Sequence, residues 1–197
     1  MKLTATTFMT LDGVVQGPGH APGGRPEDPS DGFELGGWTE PYGDEDFQRL
    51  TVEEFEHADA FLFGRRTYDI FTGFWPHVTD PDDPLAARLN NSPKHIASRS
   101  PQTFEWPGAV QLHGDLAEAV QALKDQPGDE LQVHGSGALL RSLWDADLVD
   151  EWRIRLFPVV LGSGRQLFGT GRVPGRLRLL DSRTTASGIT ALRYARE

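Results

Sequence analysis

Strand-like and helix-like patterns alternate along the first three quarters of this chain, and that alternation constrains the fold more than any single motif. Lys2 to Leu11 is apolar and threonine-rich, as in a strand, and Asp12-Gly13 punctuates it. Asp44 to Ala58 reads as a helix with acidic residues in its first turn, where the dipole favours them. Ala60-Phe61-Leu62-Phe63 is a short apolar strand ending at Gly64, and Arg66 to Phe71 begins another helix. A short helix over Leu85 to Leu89 leads to a strand over Lys94 to Ser98. Asp115 then caps an amphipathic helix in which Leu116, Ala119, Val120 and Leu123 keep the i, i+3, i+4, i+7 spacing of a buried stripe. Strand Leu131 to His134 and helix Ala138 to Trp144 complete the alternating part. Such an order predicts an α/β fold with a mostly parallel sheet and helices on both faces.

The last quarter changes period. Trp152, Ile154 and Leu156 alternate with Glu151, Arg153 and Arg155, which predicts a strand with one wet face. Leu177 and Leu179 alternate likewise, and Ser187-Gly188 reads as the turn into a last strand ending at Tyr194. The predicted architecture is therefore three-layered, a mostly parallel central sheet with an antiparallel C-terminal edge.

Residues 16 to 43 stand apart: thirteen of these twenty-eight are glycine or proline. Phe33, Leu35, Trp38 and Tyr42 give the segment apolar anchors, so it is expected to pack on the protein as a lid.

Composition narrows the function. With 197 residues, 38% of them hydrophobic, the chain can bury one sizeable core, and a single domain over residues 1–197 is expected. There is no cysteine, so no disulfide framework or thiolate metal site is available. The six histidines lack metal-ligand spacing, and no metal is expected. No signal-peptide core or membrane-spanning run occurs, and a cytoplasmic location is the expectation. The net charge of −10 argues against a nucleic-acid partner, although arginines recur locally at Arg65-Arg66, Arg99 and Arg153 to Arg155.

Three strand ends carry residues suited to phosphate. Gly64-Arg65-Arg66-Thr67 joins a strand to a helix N-terminus, where backbone N–H groups and the dipole favour an anion and arginine adds a bidentate donor. Gly135-Ser136-Gly137-Ala138 has the same placement. It is shorter than the dinucleotide fingerprint of a Rossmann fold and lacks its acidic residue about twenty positions on. Ser98-Arg99 offers a hydroxyl and a guanidinium for a ribose phosphate. In open α/β sheets, ligands bind outside the carboxyl ends of the strands, and all three segments lie there. Neither a nucleophile elbow nor a Walker A sequence occurs.

In order along nearly the whole chain come Thr10-Leu11-Asp12-Gly13-Val14-Val15, Gly64-Arg65-Arg66-Thr67-Tyr68 and Lys94-His95-Ile96-Ala97-Ser98-Arg99. Gly135-Ser136-Gly137-Ala138-Leu139-Leu140, Leu148 to Glu151, Pro158 to Gly164 and Leu167-Phe168 follow. On these residues the chain resembles the dihydrofolate-reductase-like family, in the form of the reductase domain of riboflavin-biosynthesis enzymes. The resemblance implies a sheet of about eight strands, NADPH as hydride donor, a small heterocyclic or carbonyl substrate, and frequently a homodimer. By position it implies that Gly64 to Thr67 meet cofactor phosphate, Ser98 and Arg99 the adenosine ribose phosphate, and Gly135 to Leu139 the pyrophosphate. Val15 would lie by the nicotinamide.

Two positions depart from the family pattern. The first helix offers Asp44, Glu45, Asp46, Glu53 and Glu54 where dihydrofolate reductases use one carboxylate, and His134-Gly135-Ser136 stands where riboflavin reductases often carry Glu-Gly-Gly. Asp12, an acid of the first helix or water are the candidate proton sources. Trp38, Tyr42, Trp75 and Phe157 are candidates for an aromatic substrate wall. Two alternatives stay open, a nucleotide-binding protein of this fold without turnover and a flavin-binding oxidoreductase, which would purify yellow.

Overall fold

The structure, a computed structural model, describes residues 1–21, 25–26 and 32–197. In chain order the elements are β1 (Lys2–Thr10), β2 (His20–Ala21), β3 (Arg25–Pro26), α1 (Glu45–Phe55), β4 (Ala58–Gly64) and α2 (Arg65–Thr72). There follow α3 (Pro84–Asn91), β5 (Lys94–Ala97), β6 (Ala109–Gln111), α4 (Leu116–Lys124) and β7 (Glu130–His134). The chain closes with α5 (Gly137–Asp145), β8 (Glu151–Phe157), β9 (Leu177–Thr184) and β10 (Thr190–Arg196). Eight strands form one sheet in the order β6-β5-β4-β7-β1-β8-β10-β9, while β2 and β3 make a separate two-residue ribbon.

From β6 to β8 every pairing is parallel, as strand–helix alternation requires. Only β10 runs the other way: it lies antiparallel to β8 and to β9, so the C-terminal hairpin supplies the antiparallel edge, with β9 outermost. β6 was not anticipated. Its three residues are too few to show a period, and it forms because Lys94 and Ile96 offer an unpaired strand edge. The first helix stops at Phe55, three residues short of the expectation, and Ala58 already pairs with Glu130 in the sheet.

Side-chain alternation divides the core. On one face Leu3, Ala5, Leu62, Leu131, Val133 and Trp152 pack under Val120 and Leu123 of α4 and Leu140, Leu143 and Trp144 of α5. On the other, Phe61, Phe63 and Ile96 meet Phe55 of α1, Tyr68 of α2 and Leu89 of α3. The helices that cap well do so through aspartate: Asp44, Asp83 and Asp115 each accept backbone N–H groups at the start of α1, α3 and α4.

β8 corrects one expectation. Its charged face is not wet: Glu151, Arg153 and Arg155 are 1%, 4% and 2% exposed. They are buried because neighbouring strands bring partners. Arg153 grips both carboxylate oxygens of Glu130 on β7, at 3.0 and 2.5 Å, and reaches Glu151 at 2.8 Å. Glu151 also accepts from Lys2 on β1 and from Arg193 on β10. Burial opposes its charge, but the bonds from Arg193, Lys2 and Arg153 outweigh that and hold its carboxyl well below the usual range.

The polar run continues along β7. Gln132 donates to the Glu54 carbonyl at 2.6 Å and to Glu130 at 2.7 Å. Those two acceptors fix its amide, so its oxygen takes the proton of His134 Nε2 at 2.9 Å. Burial, with Arg153 and Arg155 nearby, pushes the His134 imidazole down to about 3 and keeps it neutral.

Removing one partner from a buried ion pair leaves the other charge without compensation. Arg153→Met is therefore expected to cost about 3 to 5 kcal/mol in urea unfolding. Arg49→Ala, on the exposed side of α1, should cost under about 0.5 kcal/mol. His134 sets a pH dependence. Its folded value lies below the ordinary histidine value of about 6.5, so in mildly acid solution the unfolded chain binds a proton that the folded chain refuses. Stability should fall by up to about 1.4 kcal/mol per pH unit below about pH 6.5 on this account. Between about pH 6.5 and 5, above the window of Glu151, His134→Gln should show a flatter slope of melting temperature, and equal slopes would refute the assignment.

Candidate functional site

A cleft of about 2020 Å³ opens at the carboxyl ends of the parallel strands. Its walls come from segments far apart in sequence: the ends of β4, β5 and β7, the segment after β1, and the last turn of α1. All twelve residues expected to meet the cofactor line it. Gly64, Arg65, Arg66 and Thr67 form the start of α2, and Gly135, Ser136, Gly137, Ala138 and Leu139 the start of α5. Ser98 and Arg99 follow β5, and Val15 projects from the segment after β1.

Backbone geometry explains the residue types. Gly135 has φ 58° and Ser136 φ 52°, so the chain turns left-handed twice before entering α5. At Gly137 a Cβ would stand 3.2 Å from the Val15 side chain, where glycine leaves the approach open. Two hydrogen bonds join the loops: Gly64 N donates to Ser136 Oγ at 2.9 Å, and Ser136 N donates to Thr67 Oγ1 at 3.0 Å.

The helices that follow β4 and β7 differ from the other three, one of which, α4, also starts at the cleft with its cap Asp115. Neither α2 nor α5 has a side-chain cap, whereas α1, α3 and α4 are capped by aspartate. Helix N-termini without a side-chain cap, their positive dipole ends and arginines together fit the phosphates of a dinucleotide. Farther out, Ser98 Oγ contacts the Ser100 carbonyl at 3.0 Å and Gln111 holds the Ser98 carbonyl at 3.0 Å, which fixes the strand end that presents Arg99.

Several expected residues lie elsewhere. Asp12 does not line the cleft. Its carboxylate accepts from Thr10 Oγ1 at 2.5 Å, Gly162 N at 2.8 Å and Leu161 N at 3.3 Å, tying the end of β1 to the segment after β8. The Thr10 hydroxyl above all, then Gly162, holds its carboxyl below the ordinary range, so it stays ionised and is a poor proton donor. Of the four aromatic candidates only Trp75 lines the cleft. Trp38, Tyr42 and Phe157 instead form a separate cluster in which Phe157 is the hub, with ring centroids 5.3 Å from Trp38 and 5.7 Å from Tyr42. Of the predicted lid, residues 22–24 and 27–31 lie outside the described residues. Its two ends pair, Gly37 N to the Gly17 carbonyl and Trp38 Nε1 to the Gln16 carbonyl, and Gln16, Gly17, Pro18 and Thr39 line the cleft.

Among the five acids around the start and body of α1, the structure selects Glu54. Asp44 is the cap, Glu45 is exposed, and Asp46 and Glu53 pair with arginines at the surface. Glu54 lines the cleft and forms an ion pair with Arg155. Burial pushes its carboxyl up, against the pull of Arg155 and Arg153. Its signal was present in the spacing: Phe47, Leu50 and Glu54 stand at i, i+3 and i+7, which puts an acid on the inward stripe of the helix. Arg155, 2% exposed, was noted only as one of a run of arginines, and it lines the cleft beside Glu54.

Comparison with known proteins agrees with this arrangement. Residues 1–191 match the RibD C-terminal domain family. The uncharacterised protein YyaP of Bacillus subtilis (strain 168) is 28% identical over 188 residues, covering 94% of this chain and 90% of that protein. A putative riboflavin biosynthesis protein from Shewanella sp. PV-4 shares the fold with a TM-score of 0.72 at 21% identity, over 100% of this chain and 99% of that one. Dihydrofolate reductase from Enterococcus faecalis, solved with NADP(H), shares it at a TM-score of 0.56 and 15% identity, over 100% and 96%. With the eight-stranded sheet, these matches bear out the dihydrofolate-reductase-like architecture and the resemblance carried by the strand-end motifs. The chain belongs to the RibD C-terminal domain family, a reductase-type family with a dihydrofolate-reductase-like fold.

Proposed function

We propose that this protein is an NADPH-dependent reductase acting on a small heterocyclic or carbonyl substrate. The observation that carries the reading is the convergence of three strand-end segments and two uncapped helix N-termini on one cleft. Bound NADPH would supply the hydride. The starts of α2 and α5 would hold its phosphates, and Ser98 with Arg99 the ribose phosphate. Val15 would flank the nicotinamide, and Thr6, Phe8, Thr51, Glu54, His134 and Arg155 would line the substrate end. Of the groups at that end, Glu54 is the one whose burial favours a held proton, and it replaces Asp12 as the candidate donor. His134, neutral and bonded through Nε2 to Gln132, orients and does not donate.

The reading includes a homodimer formed through the C-terminal sheet edge. There β9 is outermost, and Leu179 and Leu180 are 50% and 41% exposed. A dimeric mass by light scattering at micromolar concentration is expected, and a monomeric mass would remove this part of the reading.

Cofactor choice tests the residue assignment. A charge-assisted contact to the ribose phosphate contributes about 1.5 to 3 kcal/mol, so NADPH should bind about ten- to a hundredfold more tightly than NADH. Arg99→Ala should abolish most of that ratio while leaving NADH affinity nearly unchanged, as read by cofactor fluorescence titration. A ratio that survives Arg99→Ala would misplace the adenosine end. Failure of NADPH to bind at all would overturn the function.

A further inference from the structure

One buried charge in this fold is held without a counter-charge. Lys94, at the start of β5, is 0% exposed, and its ammonium meets no carboxylate among the described residues. Three backbone carbonyls hold it instead, those of Asn90 at 3.2 Å, Ser92 at 2.8 Å and Pro107 at 2.9 Å. The ring of Trp106 lies beside it, with its centroid 4.7 Å from Nζ. Three donors therefore meet three acceptors, and a neutral amine, with two donors, would leave one carbonyl unanswered. Two of those carbonyls belong to the end of α3 and its cap, where the helix dipole favours a cation. Burial opposes the charge and pushes the amine down to about 8.

What Lys94 grips leads to the cleft. Asn90, whose carbonyl it holds, donates through Nδ2 to the Trp75 carbonyl at 3.0 Å and accepts from Trp106 Nε1 at 2.8 Å. Residues 73–83 join α2 to α3 outside the sheet, and the Asn90 amide fastens them to the helix. That connection carries an aromatic wall of the cleft: Phe74 and Trp75 both line it, edge to face at 5.1 Å. No other titratable side chain near Lys94 pairs with it among the described residues. Arg88 on α3 donates to the Glu56 carbonyl, Asp59 on β4 accepts from Asp129 N, and Tyr68 on α2 accepts from Trp106 N. Glu56, His77 and Glu105 are exposed, and His95, next along β5, faces the other side of the strand.

We propose that Lys94 is a positioning residue for this cleft: its ammonium fixes the end of α3 and, through Asn90, sets where the wall of Phe74 and Trp75 stands. What the wall serves, one side of the substrate's space, rests on the reductase reading. The device is titratable. With the proton in place all three carbonyls are held and the wall is firm. As the proton leaves in mildly alkaline solution, the Asn90 carbonyl, the longest of the three bonds, is released and the wall loosens.

The test is fluorine NMR on the full chain with its five tryptophans replaced by 5-fluorotryptophan, titrated from about pH 7 to about pH 9. Trp75→Phe and Trp106→Phe identify the two signals. Both should move with one midpoint near pH 8, while those of Trp144 and Trp152, in the other half of the core, stay still. Lys94→Met should abolish both movements. Asn90→Ala keeps the backbone carbonyl and the lysine but cuts the bond to Trp75, so Trp106 should still titrate and Trp75 should not. A lysine that merely fills the core predicts movement of Trp106 alone in the unaltered protein, and that result overturns the proposal. So do unequal midpoints, a still Trp106, or a Trp75 titration that survives Asn90→Ala. If Lys94→Met does not fold, the unaltered protein and Asn90→Ala decide between them. NADPH binding is measured by calorimetry on the same samples. Its failure counts against the reductase reading, whereas the tryptophan titration judges Lys94 whether or not NADPH binds.

Discussion

The guanidinium of Arg153 is the interaction on which the rest of the sheet depends. It sits on β8 and holds Glu130 of β7 across the intervening β1, while Glu151 beside it gathers Lys2 and Arg193. Four adjacent strands are thus joined by charge as well as by backbone ladders. A one-residue slip of any of them would turn its charged side chains to the opposite, apolar face. Apolar packing on the α4 and α5 side holds the layers together, but it is tolerant of exchange among similar shapes. The ionic side is not, and it makes the register of the central strands a single solution.

That same polar face leads to the cleft. Followed along β7 and β8 toward their carboxyl ends, it passes from Glu130 and Arg153 through Gln132 to His134 and Arg155, which line the opening. Structural and ligand-facing groups are therefore one continuous set of hydrogen bonds, and α1 covers them with an acid, Glu54, on its inward stripe. The half formed by the starts of α2 and α5 is built differently, from backbone. The helices that follow β4 and β7 meet the cleft without a side-chain cap, whereas α4, which also reaches it, is closed by Asp115.

Most of the architecture was legible because it rests on local periodicity. The stripe of Leu116, Ala119, Val120 and Leu123 foretold α4, and the strand-end glycines foretold where the cleft would lie. What escaped depended on partners distant in the chain. The alternation of Glu151, Arg153 and Arg155 is the usual mark of a solvated face, and nothing local says that Glu130 and Lys2 will lie beside it. Asp12 stood in the best-matched motif, yet its oxygens are committed to Thr10 and to Gly162, about 150 positions away. Trp38, Tyr42 and Phe157 were sound choices of residue type, but they pack on one another, and of the four candidates Trp75 reaches the cleft. β6 had too few residues to announce itself.

The pair of bonds between Ser136 and the start of α2 has a mechanical consequence. Gly64 and Ser136 are separated by 72 positions, and each loop by itself would fluctuate as surface turns do. Bonded to each other, they become one rigid jaw whose two lips cannot open independently. An anion that settles on either lip meets a second one already in place, and the ordering cost of the pair has been met during folding. The same coupling makes the jaw a single point of failure, since loosening Ser136 would blunt both lips together.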